Sequence, residues 1–546
     1  MNRSRHSLQD EFESPSGRER QFERWFETHF NAAAILVLMS GFLIRLKAAS
    51  GTFLNPDEAL HYLLANQPSW RLAYEASLTN AHPPLLTFVL YFWRAMGDSE
   101  FVIRLPSVIA GTAFCWIVFK WLTRIFGRAT GFIGLMLVTF LAPVIGLAAE
   151  VRQYALLLFF LAGAACCLER AWEENSAGMM LLSAMFLCFA MLAHYSAILF
   201  AAAMGIYSLI RMTTRRPAAK VCAAWVFGQA ATLALFAFLY ITHISRLKGD
   251  YASGTVHGWL ANSFFRHGHD NPLVFVIARS GGVFQYVFGQ LAVGDIAFVG
   301  FVVAVVLLMK ASGSPAASKV DGWQLGVLLV LPFVMGAGAA LAGIYPYGGT
   351  RHSAFLIMFA VAGVSFFLAK WVKQQVGRGI VLALVIAAVC TAFGKPHRPY
   401  MLREDQSREQ MSRAMEFVRS RIPQSDLIFV DYQTRLLLAH YLCPQQPMSF
   451  KPSGTKVEEF QCSGYQIAAA NSELYTFTAE SFPRWQDELL RLHPLQPSQS
   501  LWIIQAGWEV YLAHDLHLSP QSFGRNITIF KLTAGQSMPG IARESN

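Results

Sequence analysis

Two carboxylates, Asp57 and Glu58, stand side by side in Asn55-Pro56-Asp57-Glu58, just beyond the first long apolar segment of the chain, and His82-Pro83-Pro84-Leu85 follows. Charge beside hydrocarbon is costly, so an acidic pair kept there points to chemistry on a charged, lipid-linked substrate. Two later turns carry bases. Ala149-Glu150-Val151-Arg152-Gln153-Tyr154 sets an acid and an Arg two residues apart, and Tyr345-Pro346-Tyr347-Gly348-Gly349-Thr350 leads into Arg351-His352. A guanidinium fork matches phosphate oxygens, and paired glycines let backbone amides approach an anion. Taken together, these outward turns each supply what a phosphate-linked donor requires.

Each turn also has a plainer explanation. Asn at an N-cap, Pro at the first helical position and Glu at the third form a helix-start signature, in which Glu58 reaches back to the Asn55 amide. Asp57 is not needed for that cap. The following Ala59-Leu60-His61-Tyr62-Leu63-Leu64 predicts an amphipathic helix along the membrane surface, with His61 one turn from Asp57. A double proline stiffens the entrance to a helix, Glu150 and Arg152 could pair locally, and Tyr345 and Tyr347 could anchor at the interface.

The elements that must hold these turns are membrane spans. With 546 residues, 54% of them hydrophobic and 14% charged, the composition is that of a polytopic membrane protein. Apolar runs long enough to cross the bilayer lie at about 31–48, 102–123, 129–147, 154–170, 178–193, 196–212, 220–241, 286–309, 324–344, 353–369 and 379–394, about eleven spans. Lys120, Arg124, Arg128, Arg170, Arg211, Arg215, Arg216, Lys220, Lys310, Lys319, Lys370, Lys373 and Arg378 fill one set of short loops, whereas the other set holds Arg152 and Arg351. The positive-inside rule then puts the N-terminus in the cytoplasm. An odd number of spans puts 49–101, 242–285 and everything after about 395 outside. Much of the net charge of +10 is thus a topogenic signal, and nucleic acid is not an expected partner.

Residues 1–27 read as a disordered cytoplasmic tail, 28–395 as the transmembrane domain, and 396–546 as an exported α/β domain. In the last, strands are expected at 427–432, 501–507 and 527–533, and helices at about 405–421, 434–442 and 485–492. Six cysteines fall in apolar spans; Cys443 and Cys462 lie in the exported tail and are expected to pair. No inverted repeat of the transporter kind is visible. His243, His257, His267, His269 and Asp270 offer a zinc-like donor set, but their spacing matches no recognisable site, so no metal and no cofactor is expected.

The order NPDEALHY after the first span, HPPLLTFVLYFW, EFVIRLPSVIAG entering the second span and EVRQYALLLFF after the third resembles the GT-C glycosyltransferases. Within them it is similar to the group of protein O-mannosyltransferases, aminoarabinose transferases and RgtA-like enzymes. The resemblance covers roughly residues 40–200 well. It implies a GT-C membrane fold, an active site at the outer face of the cytoplasmic membrane, a polyprenyl-phosphate-linked sugar as donor, inversion, and a glycan, lipid or protein acceptor. By that resemblance Asp57 is the general base, with Glu58 and Glu150 as further catalytic acids. Arg152, Arg351 and His82 face the donor phosphate, and His61, Arg45, Tyr154 and His352 stand behind them. His82 occupies a position where aminoarabinose transferases carry Lys, and Ala81 one where they carry an acid, a departure that weakens a specific assignment to aminoarabinose transfer. A transporter, or a polysaccharide ligase or polymerase, is the alternative function.

Overall fold

Every apolar run read above as a span is helical. The computed structural model describes residues 17–214, 217–247, 258, 260–311, 313, 320–373, 375–394, 400–403, 406–444, 446–450, 456–470, 476–496, 499–508, 510, 512–516 and 518–532. Among them nine helices are long and apolar enough to cross a membrane, or ten if the bent pair Arg128–Phe140 and Ala142–Ala149 is one span. The remaining expected span, Ala177–Ala193, is a helix of 17 residues. The chain is a multi-pass membrane protein. Of the tail expected to be disordered, residues 1–16 lie outside the described residues, and from Gly17 the chain is already in the helix Gly17–Gly51.

The bent pair breaks by 61° at Leu141, just before Pro143, whose missing N–H cannot continue the ladder. Two carbonyls at the break are taken by Arg45, which donates to Val138 O at 2.9 Å and Thr139 O at 3.2 Å. Arg45, expected behind the catalytic turn, therefore serves the broken span. The stretch expected as an outer loop at 242–285 contains one more apolar helix, Pro272–Phe288. Asn271 caps its Leu273 and Val274 amides and left-handed Gly289 stops it, so the next span starts at Leu291.

The chain folds into two compact units, each assembled from segments distant in sequence. The first comprises residues up to 45, 108–148 and 153–398, and holds most of the membrane helices. Its Arg351–Trp371 segment is central, 89% of its most apolar stretch being buried, whereas Ala219–Arg246 and Val376–Phe393, at 22% and 28%, are peripheral. Buried Arg211 joins Glu169 at 3.8 Å and Gln324 at 3.3 Å, pinning three helices by polar contacts.

The second unit comprises residues 46–107, 149–152 and those described after 399. Its N-terminal part carries the helices Pro56–Ala65, Trp70–Ser77 and Leu85–Trp93. Its C-terminal part is a six-stranded sheet of β1 (Leu427–Val430), β2 (Val457–Cys462), β3 (Tyr465–Ala470), β4 (Leu501–Ala506), β5 (Gln521–Ser522) and β6 (Ile527–Leu532) in the order β2-β3-β1-β4-β6-β5. β1 is parallel to β3 and β4; the remaining pairs are antiparallel. β2 and β3, not foreseen, are joined by Ser463-Gly464, both at positive φ, the conformation that tight hairpins require. Leu427, Phe429, Ile503 and Phe530 form a core with Phe482, Trp485 and Leu489 of the helix Phe482–Leu492. The helix Tyr432–Tyr441 packs instead on Pro56–Ala65, with the rings of His440 and Tyr62 edge to face at 5.1 Å. Its Tyr441 hydroxyl accepts from the Leu54 amide at 2.8 Å and donates to Glu100 at 3.0 Å, and Arg408 reaches the same carboxylate at 3.1 Å. Cys443 and Cys462 are joined, the pairing expected from the sequence, tying the end of that helix to β2.

Candidate active site

The helix Pro56–Ala65 begins with the cap its sequence requires. Asn55 Oδ1 accepts the Glu58 amide at 2.9 Å and Glu58 Oε2 accepts the Asn55 amide at 3.0 Å. Glu58 does more than cap. Arg104 grips it with two parallel bonds, Nε to Oε1 at 2.8 Å and Nη2 to Oε2 at 2.7 Å, and both side chains are 0% exposed. The other Arg104 donors go to the carbonyls of Ala49, Thr52 and Phe53, so this buried guanidinium is fully used. Glu58 Oε1 also accepts the Val151 amide at 2.9 Å, which draws the Glu150–Arg152 turn onto the start of the helix. Glu58 thus fastens two turns together, with its carboxylate occupied on both oxygens.

Its neighbour has the opposite surroundings. Asp57 forms an ion pair with Arg152, whose side chain is only 4% exposed, while the Asp57 side chain remains 31% exposed. It is the reachable carboxylate of the pair. The Arg152 amide donates to Glu150 O at 2.8 Å, and the Glu150 side chain is itself buried. Tyr400 stands among these groups: burial pushes its hydroxyl well above the usual phenol range, Glu58 and Glu150 add to the rise, and Arg104 opposes it. The rings of His61, expected one turn from Asp57, and His82, expected to face the donor phosphate, lie 5.6 Å apart at 30°. Asp57, Glu58, Glu150 and Arg152 lie on two turns that the Glu58–Val151 bond and the Asp57–Arg152 ion pair bring together.

Arg351, His352 and Tyr154 belong to the first unit and are described by themselves. Arg351 opens the short helix Arg351–Leu356, and the His352 carbonyl accepts the Tyr345 hydroxyl at 3.1 Å. The Tyr154 ring lies 5.3 Å from His194, and His194 is edge-on to Tyr345 at 6.4 Å. A Cβ on Gly349 would stand 2.8 Å from the Gly282 carbonyl, so glycine is required where these backbones meet. Arg279 packs along Gly348. Neither Arg104 nor Arg279 has a role in the sequence reading, although an Arg inside an apolar run is itself a signal, because it must be paired or functional.

Among the described residues no group of three His, Cys, Asp or Glu could hold a metal. Asp270 is taken by Arg266 at 2.9 Å and His243 by the Tyr195 hydroxyl, while His257 lies outside the described residues.

Residues 81–241 match the family described as dolichyl-phosphate-mannose-protein mannosyltransferase. The fold is similar to that of ArnT from Cupriavidus metallidurans in the apo state, with a TM-score of 0.51 and 13% identity over 91% of this chain and 98% of that one. The fold is that of the GT-C glycosyltransferases. ArnT has also been solved bound to undecaprenyl phosphate; that structure scores 0.47 with 13% identity over 92% and 98% of the two chains. The archaeal oligosaccharyltransferase AglB from Archaeoglobus fulgidus, in complex with an inhibitory peptide and a dolichol-phosphate, scores 0.49 with 10% identity, covering 88% of this chain and 70% of that one. No curated protein matches the chain by sequence.

Proposed function

We propose that this protein is a membrane glycosyltransferase that moves a sugar from a polyprenyl-phosphate-linked donor to an acceptor hydroxyl at the outer face of the cytoplasmic membrane. The observation that carries the reading is the pairing of a reachable acid, Asp57, with a buried guanidinium, Arg152, on two turns that Glu58 and Arg104 hold together. The segment matched to the mannosyltransferase family contains His82, Arg104, Glu150 and Arg152, and the fold of ArnT, a protein solved with undecaprenyl phosphate, supports the same class of donor.

In this reaction the acceptor oxygen bonds to the anomeric carbon from the side opposite the phosphate. The carbon–phosphate oxygen bond breaks, polyprenyl phosphate leaves with the bonding pair, and the hydroxyl proton passes to Asp57. Arg152 has two anionic partners to choose between. A donor phosphate arriving at its guanidinium competes with Asp57, so binding of the donor frees the carboxylate that the acceptor needs. Glu58 and Arg104 are positioning residues in this scheme, with Glu150 and the His61 and His82 pair beside the base. Arg351, with Arg279 along the same turn, is the basic group that the first unit offers to an anion. The distribution of Lys and Arg supports a cytoplasmic N-terminus and a periplasmic C-terminal domain.

Proteoliposomes supplied with a synthetic polyprenyl-phosphate-linked sugar and an acceptor mixture separate this reading from transport. Covalent sugar transfer with accumulation of polyprenyl phosphate is expected. Movement of intact donor between leaflets without a new glycosidic bond would establish the transporter instead.

A further inference from the structure

The first helix, Gly17–Gly51, and the helix Glu100–Phe126 leave an open apolar groove of about 390 Å³, walled by Ile35, Leu38 and Phe42 on one and by Ile109, Ala113 and Trp116 on the other, all in the first unit. Thr112 also lines it, but its hydroxyl is spent on the Val108 carbonyl at 2.8 Å. The two helices are antiparallel here, with Phe30 meeting Phe119 at one end and Arg45 approaching Gly111 toward the other.

The end marked by Phe30 and Phe119 is cationic. One turn beyond Trp116, the Lys120 ammonium lies 4.4 Å from the Trp116 ring and 5.3 Å from the Phe119 ring, and Nζ donates to Asn31 Oδ1 at 3.4 Å. Arg128 lies 5.5 Å from the Phe30 ring, and the Phe30 and Phe119 centroids are 5.4 Å apart. Adjoining aromatic rings thus seat two cations where the apolar walls stop. Arg124, a turn past Lys120, is taken by Glu173 and Glu174, whereas among the described residues no carboxylate pairs with Lys120 or Arg128. The nearest acid along the first helix is Glu27, a turn before Asn31, so the cations hold the majority at this end. From Asn31 to the helix end at Gly51 is about 30 Å at about 1.5 Å per residue, the thickness of a hydrocarbon core. The cations therefore belong to the leaflet away from the one at which this helix delivers the chain to the Asn55 cap.

We infer that the groove is a site for an anionic glycerophospholipid of that leaflet, one acyl chain lying along Leu38 and Ala113 and the phosphodiester held by Lys120 and Arg128. Walls of large apolar side chains suit a hydrocarbon chain, and paired cations between spans on the Lys- and Arg-rich side suit an anionic headgroup. A second helix fits less well, because spans approach one another through small residues and this groove is walled mainly by Ile, Leu, Phe and Trp. The site does not depend on the transfer reaction.

Native mass spectrometry of the delipidated full chain, titrated with phosphatidylglycerol or phosphatidylcholine of identical acyl chains, provides the test. One phosphatidylglycerol is expected to be retained about tenfold or more tightly than phosphatidylcholine, and each of Lys120→Gln and Arg128→Gln to remove about fivefold of that preference, the scale for one cation at an anionic headgroup. Lys120→Arg should keep the preference, which separates loss of charge from loss of fold. Lys310→Gln, at an exposed cation ending another span, should leave it unchanged. Ala113→Trp, which fills the middle of the groove, should abolish retention of the lipid. Equal retention of the two lipids, a preference that survives Lys120→Gln/Arg128→Gln, or one lost equally in Lys310→Gln, would overturn the proposal. So would a wild-type dimer that Ala113→Trp dissolves, which would assign the groove to a second copy of the chain.

Discussion

Asp57 and Glu58 are adjacent carboxylates on one helical turn, and their surroundings assign them different work. Glu58 is sealed with Arg104 and holds the Val151 amide, so replacing it with Gln leaves a buried guanidinium without its counter-charge. Breaking such a pair costs about 3–5 kcal/mol, and Glu58→Gln is expected to lower the melting temperature and yield of purified protein. A variant that folds with wild-type stability would show that the pair does not hold the turns. The cap between Asn55 and Glu58 was legible in the sequence because its partners are three residues apart. The Arg104 pairing was not, because its partners are 46 residues apart and nothing local announces it. Arg45 misled for the same reason: its position near the acidic turn in sequence says nothing of the helix break whose carbonyls it binds.

The helix Tyr432–Tyr441 joins the C-terminal domain to the helix that carries Asp57, and its titration gives a measurable sign. Burial holds His440 at about 4 instead of 6.5, against the opposing charges of Glu100 and Asp98 and with Arg104 adding to the fall. Between those values the unfolded chain binds a proton that the folded chain refuses, so the stability present above pH 6.5 is lost as pH falls toward 4. Asp431, raised by burial from 3.8 to about 6, acts oppositely: its contribution is present below 3.8 and lost as pH rises through about 6. The wild type should therefore lose more melting temperature than His440→Asn on acidification from pH 6.5 to 4, and parallel profiles would contradict the burial of a neutral imidazole. The bond between Cys443 and Cys462, 19 residues apart, should contribute about 3 kcal/mol in the chain-entropy model, measured as the loss on Cys443→Ser/Cys462→Ser. An unchanged stability would show that the closed loop is already ordered without it. At this scale β1, β4, β6 and the helices of the α/β domain were readable from apolar runs and caps. β2 and β3 were not, because Val457–Cys462 mixes Glu with apolar residues and Tyr465–Ala470 ends in alanines; only Ser463-Gly464 marked the hairpin.

For the whole molecule, composition was enough to read a multi-pass helical protein with an α/β end. The number of crossings was harder to read, since a 61° break divides one apolar run, Ala177–Ala193 is only 17 residues long, and Pro272–Phe288 sits in a stretch read as loop. Orientation is open to direct measurement: a reporter active only in the periplasm, fused after Asn546, should be active, and activity of a cytoplasm-only reporter there would reverse the side on which Asp57 and Arg152 work. The central claim is that Asp57 takes the acceptor proton while Arg152 holds the donor phosphate, and Asp57→Asn tests it most directly. The substitution keeps the side chain's size and leaves the Asn55 and Glu58 cap intact, so the protein should fold and bind donor. Its turnover of polyprenyl-phosphate-linked sugar should fall by about a hundredfold or more, the scale for losing a positioned base. Transfer at the wild-type rate by folded Asp57→Asn protein would contradict the account.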